Sequence, residues 1–192
     1  MTQYVALLRG INVGGNNIIK MPDLKVSFAA LDLREVTTYI QSGNVLFEAA
    51  ESRPSTLAER IEDGLSERFG YQSRIVLRNH RQMRAIITTA PAGFGTQPDL
   101  YRYDVVFLRE PLTAPDAMGG MPLREGVDQA FAGDGVCYFS RLTSRATQSY
   151  ISRIVGTPNY KSMTIRNWNT SVKLLALMDA RATPARTRSP GP

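Results

Sequence analysis

The 192-residue chain contains one cysteine, one histidine and one tryptophan, and each scarcity closes off a kind of chemistry. A single cysteine, Cys137, allows no internal disulfide, and a single histidine, His80, leaves too few ligands for a zinc site of the usual Cys/His kind. No metal is expected. A Cys-His nucleophile pair would need these two residues, yet Cys137 lies in the alternating run Val136-Cys137-Tyr138-Phe139 and reads as a small buried hydrophobe. His80 follows Asn79 at an expected helix start, which suits a solvated or capping role. No apolar run approaches the ~20 residues that cross a bilayer, and Met1-Thr2-Gln3-Tyr4 lacks the opening of a signal peptide. The expectation is a cytoplasmic chain without a membrane partner.

What is present is ordinary in bulk: 43% hydrophobic and 21% charged residues, the proportions of a globular protein with enough length for a real core. The net charge of +6 points toward an anionic partner, but half of it sits in the segment Arg181 to Pro192, where Arg181, Arg186 and Arg188 meet no acid. That segment, with Pro184, Pro190 and Gly191, reads as a disordered basic tail over 181–192.

Strands are expected over 4–9, 35–41, 45–48 and 72–78, and helices from Pro22 to Leu31 and over 55–69. The helices rest on Pro22 in a first turn, on Leu57, Ile61, Leu65 and Phe69 at four-residue spacing, and on Gly70 as a stop. The order βαββαβ is that of the ferredoxin-like plait. Asp104 to Arg109 matches Tyr4 to Arg9, Gly135 to Phe139 resembles Asn44 to Glu48, and Thr164 to Asn167 resembles Val76 to Asn79. The fold class expected is therefore α+β, two tandem plaits over 1–90 and 104–180, each followed by a helix, with 91–103 as linker.

The conspicuous motif is the loop that follows the first strand, Gly10-Ile11-Asn12-Val13-Gly14-Gly15-Asn16-Asn17. Gly10 and Gly15 have P-loop spacing, but Asn16 and Asn17 stand where that motif needs Lys and Ser/Thr, so this type of nucleotide hydrolysis loses its basis. No G-x-G-x-x-G is present either. The loop either builds a tight turn or presents amides to an anion, with Arg9 and Lys20 as counter-charges and Asn12, Asn16 and Asn17 as side-chain donors. In the second half the turn after Arg109 is Glu110-Pro111, which cannot do the same job. A second stretch places Arg166, Asn167 and Trp168 at a strand-to-helix junction, able to stack on and hydrogen-bond a planar group or, equally, to cap a helix and pack its inner face. Ser42-Gly43-Asn44 reads as a hairpin turn. Plait geometry is taken to put this hairpin at the end opposite the glycine loop and beside Arg78-Asn79, so that loop and Arg166 meet only if opposite ends of the two halves pack together.

ALLRGINVGGNN, TYIQSGNVLFE and MTIRNWNTSVKL together resemble the uncharacterised bacterial family called domain of unknown function 1697. The resemblance spans roughly Gln3 to Met178 and implies tandem α/β plaits. It brings no activity, cofactor or catalytic residue. Three functions stay open. A small, phosphate-bearing anion would bind at Arg9, Gly10, Asn12, Gly14, Gly15, Asn17 and Lys20, with Arg166, Asn167 and Trp168. A single-stranded nucleic acid would use the basic surface and tail, although the aromatic pattern of RNA-binding plaits is missing. An enzyme would complete its site between the halves, with Asp23, Glu35 or Glu48 as base, but no nucleophile arrangement selects one.

Overall fold

The computed structural model describes residues 1–12, 17–50 and 53–182. The first strand, β1 (Thr2–Leu8), has no polar alternation because both its faces are buried. Tyr4, Ala6 and Leu8 point into one core, and Val5 and Leu7 into another. After it come α1 (Met21–Ala29), β2 (Arg34–Tyr39), β3 (Asn44–Ala49), α2 (Pro54–Phe69), β4 (Ile75–Asn79) and α3 (His80–Thr88). Proline stands in the first turn of α1 and of α2, and α2 stops at Gly70, whose φ of 66° is left-handed. The second half holds β5 (Tyr101–Leu108), α4 (Ala114–Gly119), β6 (Asp128–Gly133), β7 (Val136–Leu142), β8 (Met163–Asn167) and α5 (Trp168–Ala182).

Two four-stranded antiparallel sheets result, in the orders β2-β3-β1-β4 and β6-β7-β5-β8. Their registers correspond: Leu8 pairs with Ile75 as Leu108 pairs with Met163, and Leu7 pairs with Asn44 as Phe107 pairs with Val136. The last correspondence corrects the sequence match by one residue, since Val136, not Gly135, occupies the place of Asn44. The halves differ in their second crossover. Where the first has the long helix α2, the second has three 3-10 turns, Thr143–Gln148, Ile151–Gly156 and Pro158–Ser162.

Three cores stack through the molecule. α1 and α2 cover the outer face of the first sheet, with Leu24, Phe28, Leu57, Ile61 and Leu65 on Tyr4, Ala6, Val45 and Phe47. α4 and the turn residue Ile154 cover the outer face of the second, over Val106, Cys137 and Phe139. Between the sheets, Met83 and Ile86 of α3 and Leu174, Leu175 and Met178 of α5 fill a core that takes side chains from both halves. The segment between the halves is folded: Phe94 N–H donates to Pro91 O at 2.9 Å and Tyr101 N–H to Gln97 O at 2.9 Å. Phe94 itself enters the central core. Among the described residues no helix is long and apolar enough to cross a membrane. The tail expected over 181–192 begins inside α5, and residues 183–192 lie outside the described ones.

Candidate functional site

The glycine loop and the Ser42-Gly43-Asn44 hairpin lie at the same end of the first sheet, not at opposite ends. β3 is antiparallel to β1, so the turn that starts β3 must stand beside the end of β1. Leu8 N–H donates to Gly43 O at 2.8 Å, and Asn12 Nδ2 donates to Gln41 O at 2.9 Å. Arg78-Asn79 is instead at the far end, paired with Val5 and Tyr4. Asn12 also donates to Ile19 O at 3.0 Å and accepts from Ile19 N–H at 2.8 Å, while Asn17 Nδ2 donates to Gly10 O at 2.9 Å. Both asparagines hold left-handed backbone, φ 53° and 46°, and their side chains tie the loop to itself and to the hairpin. Gly14, Gly15 and Asn16, also expected in the site, lie outside the described residues.

The two halves pack with opposite ends together, and Arg166 is the side chain that crosses to the hairpin and the end of β1. From β8 its Nε donates to Asn44 Oδ1 at 2.6 Å, and Nη2 to Leu8 O at 2.7 Å, Ser42 O at 2.9 Å and Gly43 O at 3.3 Å. Nη1 serves Thr164 Oγ1 and Ile165 O within its own strand. Burial pushes this guanidinium down to about 10, which leaves it charged at neutral pH. Its donors are spent on protein, so Arg166 builds the junction and has none to offer a ligand. Arg78 makes the return crossing: Nη2 donates to Leu108 O and Gly135 O, both at 2.7 Å. Burial lowers its proton affinity, against which Glu110 and Asp134 pull upward. Asn167 caps α5 through Thr170 N–H at 2.7 Å. Trp168 packs edge-on against Phe94, ring centres 5.1 Å apart, in the central core.

Cationic side chains with donors to spare collect on the seam between the halves. Arg9 and Arg109, which directly follow β1 and β5, border one small depression with Arg74 and Lys161. Two of them meet Glu62 of α2, 3% exposed, which accepts from Arg74 at 3.1 Å, Arg109 at 3.0 Å and Ile75 N–H at 2.9 Å. Arg9 lies 4.3 Å over the Tyr160 ring, and its buried Nε has no hydrogen-bond partner among the described residues. Arg74 and Arg109 thus share one carboxylate, while Arg9 and Lys161 border the same depression. The depression encloses no room for a water-sized sphere, so a ligand would lie in its mouth. Lys20 is elsewhere, exposed at the N-cap of α1. Of this constellation the sequence singles out Arg9 and pairs Arg109 with it by pattern. Arg74, Lys161 and Glu62 carry no local signal.

Other chemistry-bearing groups serve the framework. Cys137 is buried and its thiol is raised to about 11 by desolvation, so it is inert at neutral pH. His80 Nε2 lies 2.6 Å from Asp179 Oδ1, which also accepts from Arg84 at 2.6 Å, and the capping role beside it belongs to Asn79. Asp104 is raised by burial and held by Arg141 at 2.6 Å. Glu35 and Glu48 lie within electrostatic reach of Arg181, and no described group of three His, Cys, Asp or Glu residues could hold a metal ion.

The chain is similar to the conserved bacterial protein SP0830 from Streptococcus pneumoniae, with a TM-score of 0.79 at 26% identity over 93% of this chain and 99% of that one. A protein of unknown function from Galdieria sulphuraria gives a TM-score of 0.27 at 12% identity over 86% and 98% of the two chains, too low for structural comparison. No curated protein matches the sequence. The family model that matches covers residues 1–138, which includes the first two motifs and leaves the Arg166 segment beyond it. By that match the chain belongs to the family described as Protein of unknown function (DUF1697).

Proposed function

We propose that this protein binds a small phosphate-bearing anion at the seam where Arg9 and Arg109 converge. One observation carries the reading: four cationic side chains from both halves, Arg9, Arg74, Arg109 and Lys161, border one depression whose described lining holds no acid, and Glu62, which Arg74 and Arg109 reach, is already bonded three times. Arginine forks suit phosphate oxygens, and Lys161 adds a point charge. The shallow form suits a single phosphoryl group. This moves the anion from the amides of the glycine loop to the strand end at its base, where Arg9 is common to both sites.

The same reading takes residues 1–90 and 104–180 as duplicated ferredoxin-like plaits, with a ligand on the line that relates them. Support comes from the shared strand order, the corresponding registers, and the equivalent places of Arg9 and Arg109. The 3-10 turns in place of a second α2 are where the second half departs from the pattern.

Titration of the full chain with inorganic phosphate and pyrophosphate, followed by calorimetry, tests the site. Arg9→Gln with Lys161→Gln leaves the bonds of Glu62 in place and is expected to weaken binding by about tenfold or more. Arg102→Gln, which removes a cation outside the seam, is the control. Equal affinity in the double variant, or no saturable binding of either anion to the wild type, overturns the proposal.

A further inference from the structure

A second concavity lies on the inner face of the second sheet, and its chemistry is unlike that of the seam. Its volume is about 230 Å³, and its walls are Phe94 of the connecting segment, Tyr101 and Tyr103 of β5, and Phe131 of β6. Gln97 and Gln129 are among its lining residues, and among the described residues no charged one lines it. Tyr101, Tyr103, Val105 and Phe107 alternate onto one face of β5, so the pocket continues the central core at the point where α3 and α5 no longer cover it. Phe131 is 41% exposed there, an aromatic ring that no protein group covers fully.

The pocket is formed before any ligand arrives. Phe94 is fixed by edge-on contacts to Tyr103, Tyr138 and Trp168, with centroid distances of 4.8, 5.4 and 5.1 Å. Gly93 and Gly95 hold φ of 77° and 84°, and a Cβ at Gly95 would run into the Trp168 indole, so the connecting segment can approach this closely only with glycine there. Thr96 Oγ1 donates to Gly93 O at 2.8 Å and closes the turn. Rigid walls reduce the ordering cost of binding.

We infer that this pocket binds a planar, uncharged nitrogen heterocycle of the nucleobase class. Aromatic walls recognise a flat π-face by stacking or edge contact, which is sequence-tolerant and does not require charge. Each glutamine side chain offers an N–H donor beside a C=O acceptor, the arrangement that pairs with the donor-acceptor edge of such a ring. The volume is below the roughly 300–1,000 Å³ of sites for drug-sized molecules, which fits one or two fused rings. The absence of lining charge disfavours the anions that suit the seam.

Trp168 touches the floor of the pocket through Phe94 and, as the sole tryptophan, reports on it. Adenine titrated into the full chain is expected to shift the Trp168 indole and the Gln97 and Gln129 side-chain amide resonances to saturation. Phe131→Ala and Gln129→Ala, both at exposed positions of β6, are each expected to weaken adenine about tenfold without lowering the melting temperature. Cyclohexanol, an aliphatic ring of similar reach, should give no saturating shift, and inorganic phosphate should not compete. Absence of saturation with adenine, equal affinity in both variants, or equal binding of cyclohexanol overturns the inference.

Discussion

Two arginines fasten the molecule by reaching carbonyl oxygens of the opposite half. A buried guanidinium without a carboxylate beside it is stable only if its fork is filled, and Arg166 fills it with six contacts to Leu8, Ser42, Gly43, Asn44, Thr164 and Ile165. Arg78 makes three, to Leu77, Leu108 and Gly135. Replacing either by methionine keeps much of the volume and removes the donors, leaving acceptors unpaired away from water. Arg166→Met is expected to cost about 3 kcal/mol, because several buried neutral acceptors lose their donor, and Arg78→Met clearly less. Arg166→Lys should recover only part of the loss, because an ammonium cannot span the hairpin carbonyls and Asn44 Oδ1 together. Urea denaturation checks the order. Equal costs for the two methionine variants, or full rescue by lysine, would contradict the account.

Among the elements, α3 and α5 are joined by a small charged clamp in which Asp179 accepts from His80 and Arg84. These hydrogen bonds, His80 first, hold the carboxyl below its ordinary value of 3.8 although it is 45% exposed. A depressed carboxylate binds fewer protons folded than unfolded, so its contribution is complete above the unfolded value of 3.8 and fades as pH falls through the folded one. Asp179→Asn is therefore expected to lower the melting temperature at pH 6 and to match the wild type at pH 2, in thermal scans at fixed ionic strength. A gap that persists at pH 2 would assign the effect to packing instead. Elements such as α2 and β3 are legible in the sequence because Leu57, Ile61 and Leu65 recur at helical spacing and Val45 to Phe47 lies beside a Gly-Asn turn. β6, with the sequence Asp-Gln-Ala-Phe-Ala-Gly, is not, since its residues have weak strand preference and three of its six are exposed. The 3-10 turns follow no periodic pattern. The seam is half legible: Arg9 and Arg109 stand out at strand ends, whereas Arg74, Lys161 and Glu62 join them only through the packing of distant segments. Arg166 is visible as a conspicuous residue, but its role depends on which end of the other half it meets, and local sequence does not encode that.

At the scale of the whole molecule, the question is whether residues 1–90 and 104–180 are independent domains. The central core argues against independence. Val5, Leu7, Leu46 and Val76 of the first sheet and Val105, Phe107, Val136 and Tyr138 of the second share it with α3 and α5, and Tyr138 Oη donates to Ile86 O at 2.7 Å across the halves. Separation would expose this apolar face on each side, at roughly 25 cal/mol per Å², and would strip Arg78 and Arg166 of their carbonyl partners. Glu62 would likewise lose Arg109. The full chain is therefore expected to unfold in one transition, with calorimetric and van't Hoff enthalpies equal. Residues 1–90 and 91–182 expressed apart should each lack native spectral dispersion, and co-refolding should restore part of it. Two resolved transitions, or a well-dispersed spectrum from either fragment alone, would show that the arginine exchange decorates an interface between self-sufficient domains. A single transition would mean that the shared core and the crossed arginines specify one folding unit, whose basic seam exists only when both halves are in place.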